Sequence, residues 1–393
     1  MMRTLGFSCA LSVVALAAPL GCGEPFTSSS GGTGGATTTT QTTMSTTTSG
    51  GGEGGVGGAG GGTTSSSSAG GGGQGGAPPC EPGGCDPGMY CDADTGACAS
   101  CMDVTDSGFR FDTPALIDLG STGTKIFPRV RSEPGGGHRM VFSVDTGSGD
   151  YDIATSVDDD TGLWGNGVLA TGAGVNTNDP EFGPILMPTD KTVVAAPGVQ
   201  AGALVFDGLD QLDNRRGYAT SDFGSLSRSL VSGINTDGDT RSVAIAHGLL
   251  GSFRFWYMSR RVISGGIYVN RMYTKRPPDA ETMVPVTLYP GCAVDTTNKT
   301  QDLAPWVTPD GSYLFFHTHH DEGAACNQAP ILRSFYAPLS ASGQIEGEPV
   351  ELEVMDPGVN VMTPSLSPDR CTLYFASDED GSGGLQIYEA HRR

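Results

Sequence analysis

The chain has 393 residues, with 22 Lys and Arg against 43 Asp and Glu, which gives a formal net charge of −21. This excess of carboxylates excludes the basic face that nucleic-acid binding needs and disfavours electrostatic docking on anionic lipid. The 61 glycines exceed the share that is usual in a globular protein, and many fall in one tract near the N-terminus.

Residues 1–21 are predicted to be an export signal. Arg3 precedes the apolar run Leu5–Leu20, which is too short for a comfortable membrane span. The following Leu20-Gly-Cys22-Gly resembles a bacterial lipoprotein signal, which implies that Cys22 is lipidated and anchors the chain in the cell envelope. In some bacteria an Asp directly after the cysteine is associated with retention in the inner membrane. Because Gly23 occupies that position here, we expect the protein in the outer membrane. Ordinary signal-peptidase cleavage near Ala17 is the alternative.

Residues 22–79 consist almost entirely of Gly, Ser and Thr. Such a segment cannot bury enough apolar surface to offset its chain entropy, so we expect a disordered linker. A flexible coil of about 55 residues has an r.m.s. span on the order of 40 Å. The linker is therefore predicted to be a stalk between the lipid anchor and a folded head.

Five cysteines lie between residues 80 and 102: Cys80, Cys85, Cys91, Cys98 and Cys101. In an exported chain this density predicts a small module that is stapled by disulfides. A zinc site is the competing interpretation, although only the last two have C-x-x-C spacing and no second pair accompanies them. The odd number requires a partner elsewhere, and the cysteines downstream are Cys292, Cys326 and Cys371.

Residues 103–393 contain a repeat. The stretch Pro364–Asp378 has a near copy at Pro305–Phe316, 59 residues earlier. Each copy predicts a short strand, a Pro-Asp turn and an alternating apolar strand. Degenerate copies begin at Pro128, Pro184 and Val243. This period predicts an array of equal all-β units.

The last copy resembles the WD40-like, TolB-type β-propeller repeat. The matching residues are Ser367-Pro-Asp369, Leu373-Tyr-Phe375, Ser377-Asp378, Gly381, Ile387-Tyr388, Ala390 and Arg392, while Arg370 replaces the turn glycine. The resemblance implies four-stranded blades around a central channel. Five copies predict five blades, and a sixth remains open if residues 201–232 form another.

The last repeat ends at its third strand, and Phe109–Leu119 has the pattern of an orphan outer strand. We expect this segment to complete the last blade and close the ring. The blade topology that the resemblance implies places Cys371 and Cys101 on the same face, which predicts a Cys101–Cys371 disulfide. The same topology places Cys292 and Cys326 in loops of the opposite face, where they could pair.

One cluster has metal-ligating residues: His317, His319, His320 and Asp321. Imidazoles and a carboxylate at this spacing could hold a divalent ion, whereas a polar strand end with solvated imidazoles is the simpler alternative. No G-x-S-x-G nucleophile motif occurs in the sequence. We therefore assign no catalytic residue and predict no cofactor.

From these patterns we predict a monomeric lipoprotein that is a non-catalytic scaffold and binds an envelope protein or a glycan. Its contact with the membrane would be through the lipid anchor only, and no nucleic acid is expected. The alternative is a glycan-degrading enzyme, a glycosidase or lyase, with its site at the central channel. Since some five-bladed propellers are glycosidases, fold analogy supports this alternative.

Overall fold

The computed structural model describes fifteen stretches of the chain, and within them every regular element is a β-strand. The described residues are 80, 84–92, 95–104, 108–120, 122–145, 150–158, 162–189, 199–211, 214–235, 239–247, 253–263, 267–286, 302–318, 331–379 and 384–393. In these stretches there is no helix with the length and apolarity to cross a membrane. The predicted signal, Cys22 and the linker lie outside them, as do Cys292, Cys326, His319, His320 and Asp321.

The strands form one small hairpin and five four-stranded antiparallel sheets. The hairpin consists of β1 (Met89–Asp92) and β2 (Ala97–Ser100), and β3 (Ala115–Leu116) belongs to the last of the five sheets. Each four-stranded sheet is one blade. Blade 1 has β4 (Thr124–Ser132), β5 (His138–Asp145), β6 (Tyr151–Val157) and β7 (Val168–Leu169). Blade 2 has β8 (Phe182–Leu186), β9 (Leu204–Leu209), β10 (Arg215–Thr220) and β11 (Ser229–Leu230). Blade 3 has β12 (Asp239–His247), β13 (Phe253–Ile263), β14 (Ile267–Lys275) and β15 (Thr282–Met283).

Blade 4 has β16 (Asp302–Val307), β17 (Tyr313–Thr318), β18 (Arg333–Pro338) and β19 (Val350–Glu351). Blade 5 has β20 (Val361–Leu366), β21 (Thr372–Ser377) and β22 (Gln386–His391), and its fourth strand is β3. These sheets confirm the prediction of an all-β, five-bladed propeller. The six-blade alternative is wrong, because residues 201–232 supply β9, β10 and β11 of blade 2.

The ring closes as the sequence predicts. In β3, Leu116 pairs with Tyr388 and Ala115 with Glu389 of β22, and an isolated bridge joins Phe111 to Arg392. The pairing covers the edge that blade 5 would otherwise expose to strand addition by another chain. The segment therefore ties the N-terminal side of the propeller to its C-terminal strand.

Every inner strand carries a β-bulge at the same place. The residue before each repeat anchor has a positive φ between 48° and 59°, and the register of the strand breaks there; these residues are Phe127, Gly183, Ser242, Ala304 and Thr363. The anchors that follow are proline in every blade except blade 3, which has Val243. Proline fits a bulge because the ladder does not need its missing N–H. The anchor residue that marks each repeat in the sequence thus marks the position of the bulge in the inner strand.

Side chains from adjacent blades pack into hydrophobic clusters between the sheets. Phe315 and Phe375, from the second strands of blades 4 and 5, are fully buried in one such cluster. Phe109 of the closing segment joins it, with ring centroids 4.9 Å from Tyr336 and 5.4 Å from Phe315. Full burial of each such side chain contributes about 1.5–3 kcal/mol. The closing segment is therefore held by core packing as well as by strand pairing.

Disulfides join Cys80 to Cys91, Cys85 to Cys98, and Cys101 to Cys371. The first two close the module around the β1–β2 hairpin, and the third confirms the predicted link between this module and blade 5. Zinc ligation by these cysteines is the wrong interpretation, because their sulfur atoms are consumed in disulfides and cannot act as thiolate ligands. Any pairing of Cys292 with Cys326 stays a prediction.

Candidate functional site

The central channel has two different ends. The inner strands β4, β8, β12, β16 and β20 begin at one end, the strand-start mouth, and finish at the other, the strand-end mouth. A cavity of about 220 Å³ lies at the strand-start mouth and receives residues from all five blades: Ile126, Phe127, Phe182, Asp207, Arg215, Arg241, Ser242, Met258, Ala304, His317 and Met362. Ionisable side chains of three blades come together in this cavity: Asp207 and Arg215 of blade 2, Arg241 of blade 3 and His317 of blade 4.

Asp207 is the carboxylate of this cavity. It lies on β9 with only 1 % of its surface exposed. Its Oδ1 accepts a hydrogen bond from Arg215 Nη1 at 2.8 Å, and its Oδ2 accepts one from the backbone N–H of Ser242 at 2.9 Å. Burial raises the pKa of Asp207, and this effect outweighs the lowering by Arg215. The side chain is therefore positioned and able to hold a proton at a higher pH than an exposed carboxyl.

The cationic wall of the cavity is fixed in place by its neighbours. The Arg215 guanidinium lies 4.4 Å from the centroid of the Phe182 ring and donates to the Pro180 carbonyl at 3.2 Å. Arg241 is held by Asp239, with 3.1 Å between Nη2 and Oδ2. The mouth thus combines one buried carboxylate with two guanidinium groups and aromatic surface.

His317 reaches the same cavity from blade 4. It is 2 % exposed, and its Nδ1 accepts a hydrogen bond from the backbone N–H of Thr363 at 3.0 Å. Because Nδ1 is the acceptor, the neutral ring carries its proton on Nε2. His317 itself is therefore buried and not solvated, and the alternative of solvated imidazoles at His319 and His320 stays a prediction because these residues lie outside the described stretches.

Asp207 and His317 occupy the same register position in their blades. In each blade, one residue of the second strand pairs with the first inner-strand residue after the bulge: Val205 in blade 2 and Phe315 in blade 4. Asp207 and His317 lie two residues further along their strands. Each accepts a hydrogen bond from the backbone N–H of the bulged residue in the next blade. We call this contact the inter-blade latch. The equivalent residues elsewhere are Ser143, Met258 and Ala376. The fold therefore does not require an ionisable group at this position.

The predicted metal cluster is tested only in part. His317 lies at the strand-start mouth, where the latch uses its Nδ1, while His319, His320 and Asp321 fall outside the described stretches. Metal binding there stays a prediction. Sequence reasoning missed Asp207, although an aspartate inside the apolar strand Leu204–Leu209 was a signal that could have identified it.

A second buried carboxylate lies between blades 1 and 2. Glu181 has no exposed surface, and its Oε1 accepts from Thr177 Oγ1 at 2.7 Å and from Arg228 Nη1 at 3.0 Å. Burial raises the pKa of Glu181 to about 7 despite these partners. The residue does not line the strand-start cavity, so we treat it as part of the interface between the blades.

The strand-end mouth holds a larger cavity of about 340 Å³. Its walls are mostly apolar, with Trp306 as the aromatic residue and Arg129 and Arg131 as the charged ones. The two mouths therefore differ in chemistry.

No family model matches this chain, and no curated protein matches it. Solved structures do. A thermostable family-43 glycoside hydrolase matches with a TM-score of 0.48 and 12% identity, over 70% of this chain and 92% of that one. A GH43_1 enzyme from Xanthomonas citri complexed with xylotriose matches with a TM-score of 0.48 and 11% identity, over 71% and 89%. An α-L-arabinofuranosidase from Podospora anserina in complex with cellotriose matches with a TM-score of 0.41 and 11% identity, over 72% and 97%.

These matches correct two sequence-based predictions. The non-catalytic scaffold is corrected as the main prediction, because the solved structures named above are glycoside hydrolases; at 11–12% identity they show the fold alone, and the activity of this chain is a proposal. They are also not the WD40-like, TolB-type proteins that the repeat resembles, and the part of that resemblance that holds is the five-bladed propeller.

Proposed function

We propose that this protein is a glycan-degrading enzyme whose active site is the strand-start mouth, with Asp207 as its acid–base carboxylate. The observation that carries the proposal is a buried carboxyl group of raised pKa in the wall of a cavity that all five blades form. Groups of this kind cluster at catalytic sites. The latch alone does not explain Asp207, since Ser143 occupies the same position in blade 1 without a charge.

The chemistry follows from the environment of Asp207. Burial that raises the pKa of a carboxyl group favours its protonated form, which can deliver the proton to the oxygen of a glycosidic bond as the bond breaks. Phe127 and Phe182 provide aromatic surface for the apolar face of a sugar ring, and Arg215 and Arg241 provide donors for its oxygens. The mouth thus supplies both orientation and a proton.

Glycoside hydrolysis ordinarily uses a second carboxylate. An acidic group lies at the start of β6, where Tyr151 packs on Phe182 with ring centroids 4.6 Å apart. Burial raises the pKa of Asp150 and of Asp152, and neighbouring carboxylates raise both further. We propose that one of these two carboxylates acts with Asp207, because both are chain neighbours of Tyr151, whose ring packs on Phe182 of the cavity wall.

The test is hydrolysis by the purified full-length protein of a panel of arabinans, xylans and uronate-containing polysaccharides, followed by release of reducing ends. Asp207→Asn keeps the shape of the side chain and an acceptor for Ser242, so we expect a folded protein whose rate falls roughly 10²–10⁴-fold. Asp222→Asn, at an exposed turn, is the matched control and should keep the wild-type rate. Wild-type hydrolysis by Asp207→Asn would overturn the assignment.

We also propose that the chain is exported and anchored through Cys22. Support comes from the three disulfides of the described part, since such bonds persist mainly in oxidising compartments. In a bacterial host, labelled palmitate should be incorporated into the wild type, and the protein should be found in the membrane fraction. Cys22→Ala should lose the label and leave that fraction, and retention of both would contradict the anchor.

A further inference from the structure

The strand-end mouth has a local charge opposite to that of the chain. Its lining residues are Arg129, Val130, Arg131, Ser132, Ile185, Leu186, Met187, Pro188, Thr189, Ile245, Trp306, Val307, Pro309, Leu366 and Pro368. Two are arginine and none is acidic, in a chain whose net charge is −21. Positive charge is therefore concentrated at this end of the channel.

Arg129 is a buried cation without a carboxylate partner among the described residues. It is 4 % exposed, and Nη1 makes its hydrogen bonds, to the backbone carbonyls of Pro128 at 2.8 Å, Thr363 at 3.0 Å and Pro364 at 3.4 Å. Its Nε is buried without an acceptor. Burial lowers the pKa of Arg129 to about 9, so the group stays charged at neutral pH.

Burying such a charge is costly unless an anion or several dipoles compensate it. The three carbonyls all accept from one nitrogen of the guanidinium, Nη1, and the residue lines the wall of the cavity. A guanidinium presents paired donors that match the two oxygens of a carboxylate. The Arg129 guanidinium can therefore bind an anionic group that enters the channel from this mouth.

Arg131 adds to the positive potential. Its Nη2 donates to Glu133 at 2.8 Å and its Nη1 donates to the Met187 carbonyl at 2.9 Å. Glu133 also accepts from Arg139 Nε at 2.9 Å. One carboxylate, Glu133, therefore pairs with two guanidinium groups, and within the described stretches no carboxylate pairs with Arg129.

The rest of the cavity suits a sugar ring. Its volume of about 340 Å³ is in the range of small-molecule sites. Trp306 lines it from blade 4, with Ile185 and Ile245 contributed by blades 2 and 3. An indole beside aliphatic walls packs against the C–H face of a sugar, and the guanidinium is left for a charged substituent.

We propose that the strand-end mouth binds a carboxylate-bearing sugar, a uronate, whose carboxylate pairs with Arg129 while its ring packs on Trp306. This is a second binding site, at the end of the channel opposite to Asp207. It does not depend on hydrolysis, so it can hold or fail independently of the proposed activity.

The test is calorimetric titration of the full-length protein with glucuronate, its methyl ester, glucose and acetate. We expect glucuronate to bind at least about tenfold more tightly than the ester or glucose, because only the free acid carries the charge that Arg129 needs. Acetate should bind at least about tenfold more weakly than glucuronate, because it lacks the ring. Equal affinity for glucuronate and glucose would overturn the proposal, and equal affinity for acetate would reduce the mouth to a plain anion site.

Variants locate the binding. Arg129→Met should weaken glucuronate binding at least about tenfold without changing that of glucose, and Arg129→Lys should weaken it less, because a cation remains but the paired donors are lost. Arg260→Gln, at an exposed position of β13, is the control and should bind as the wild type does. Since Arg129 also ties blade 1 to blade 5, melting is measured for each variant. If Arg129→Met does not fold, Arg129→Lys and the wild-type ester comparison decide.

Discussion

Single side chains decide how each blade meets the next. The bulge in every inner strand turns one backbone N–H away from its own ladder, and in two blades an ionisable side chain of the preceding blade accepts it. In blade 1 the bulged Phe127 instead donates to Thr363 Oγ1 at 3.0 Å. Three of the five bulged N–H groups are thus accepted by a side chain of the preceding blade, and the chemistry of the acceptor differs among them.

His317 offers a direct test of this contact. His317→Phe leaves the buried N–H of Thr363 without an acceptor, and we expect it to cost about 1–3 kcal/mol in the free energy of unfolding. Ser143→Ala is the matched control, because the Ser143 hydroxyl is buried at the same register position with no hydrogen-bond partner in the described part. Its removal should be neutral or slightly stabilising. Urea unfolding measures both, and equal losses would argue that burial alone matters here.

Glu181 predicts how stability depends on pH. Its pKa in the folded protein is about 7, above the ordinary value of 4.5, so between these values the folded state binds more protons than the unfolded state. This group therefore lowers stability as the pH rises from 4.5 to 7, by roughly 3 kcal/mol in all. Glu181→Gln cannot ionise and should lack this fall.

The measurement is the unfolding free energy of both proteins from pH 5 to pH 8. Glu181→Gln loses the ion pair with Arg228, which shifts its curve by an offset, so the informative quantity is the slope. We expect the difference between variant and wild type to change in favour of the variant as the pH rises. Parallel curves would show that Glu181 is already ionised at pH 5.

Residue-level chemistry was only partly accessible from the sequence. His317 could be singled out because histidines clustered around it, whereas Asp207 is a single acidic residue in its strand and Arg129 is one of several basic residues in its own. Their importance arises from burial beside residues of other blades, such as Ser242 for Asp207 and Thr363 for Arg129. One sequence without a three-dimensional arrangement does not contain those neighbours.

At the level of the elements, the sequence was far more informative. The anchors Pro128, Pro184, Pro305 and Pro364 repeat because each inner strand needs a bulge at the same depth of the channel, and local geometry of this kind leaves a residue pattern. The outer strand of blade 5 could be predicted because the last repeat lacks one. The bulge itself was not predicted, since a Pro in a strand also fits an edge or a strand start.

The Cys101–Cys371 disulfide fastens that outer strand across a separation of 270 residues. Cys101→Ser with Cys371→Ser should lower the free energy of unfolding by about 2–5 kcal/mol, because a long loop in the unfolded chain is released. Cys80→Ser with Cys91→Ser removes a bond that spans 11 residues of the small module and should leave the unfolding of the propeller nearly unchanged. Thermal unfolding of both pairs of variants decides, and similar losses would contradict a role in ring closure.

For the whole molecule, closure means that blade 5 is assembled from distant parts of the chain. The Arg393 N–H donates to the Arg110 carbonyl at 3.2 Å, and Arg392 Nη1 donates to the Cys101 carbonyl at 2.7 Å. Cys80 and Arg393 line one cavity between the module and the blade. The C-terminal residue and the start of the described module are therefore neighbours in space.

This proximity predicts that the chain can be permuted. A protein that begins at residue 122, continues to Arg393 and then carries residues 80–119 through a short Gly/Ser linker retains every blade and all three disulfides. Because β3 would still reach β22 from the same side, we expect its melting temperature within a few degrees of the value for the unpermuted head, residues 80–393.

The matched comparison is the unpermuted head without residues 103–119, which lacks β3 and the rings of Phe109 and Phe111. That variant exposes an edge of blade 5 and uncovers part of the cluster around Phe315, so it should melt far lower or aggregate. If the permutant fails while this deletion melts like the intact head, ring closure does not stabilise the propeller. If the permutant folds and the deletion fails, blade 5 requires the closing strand but not its place in the chain.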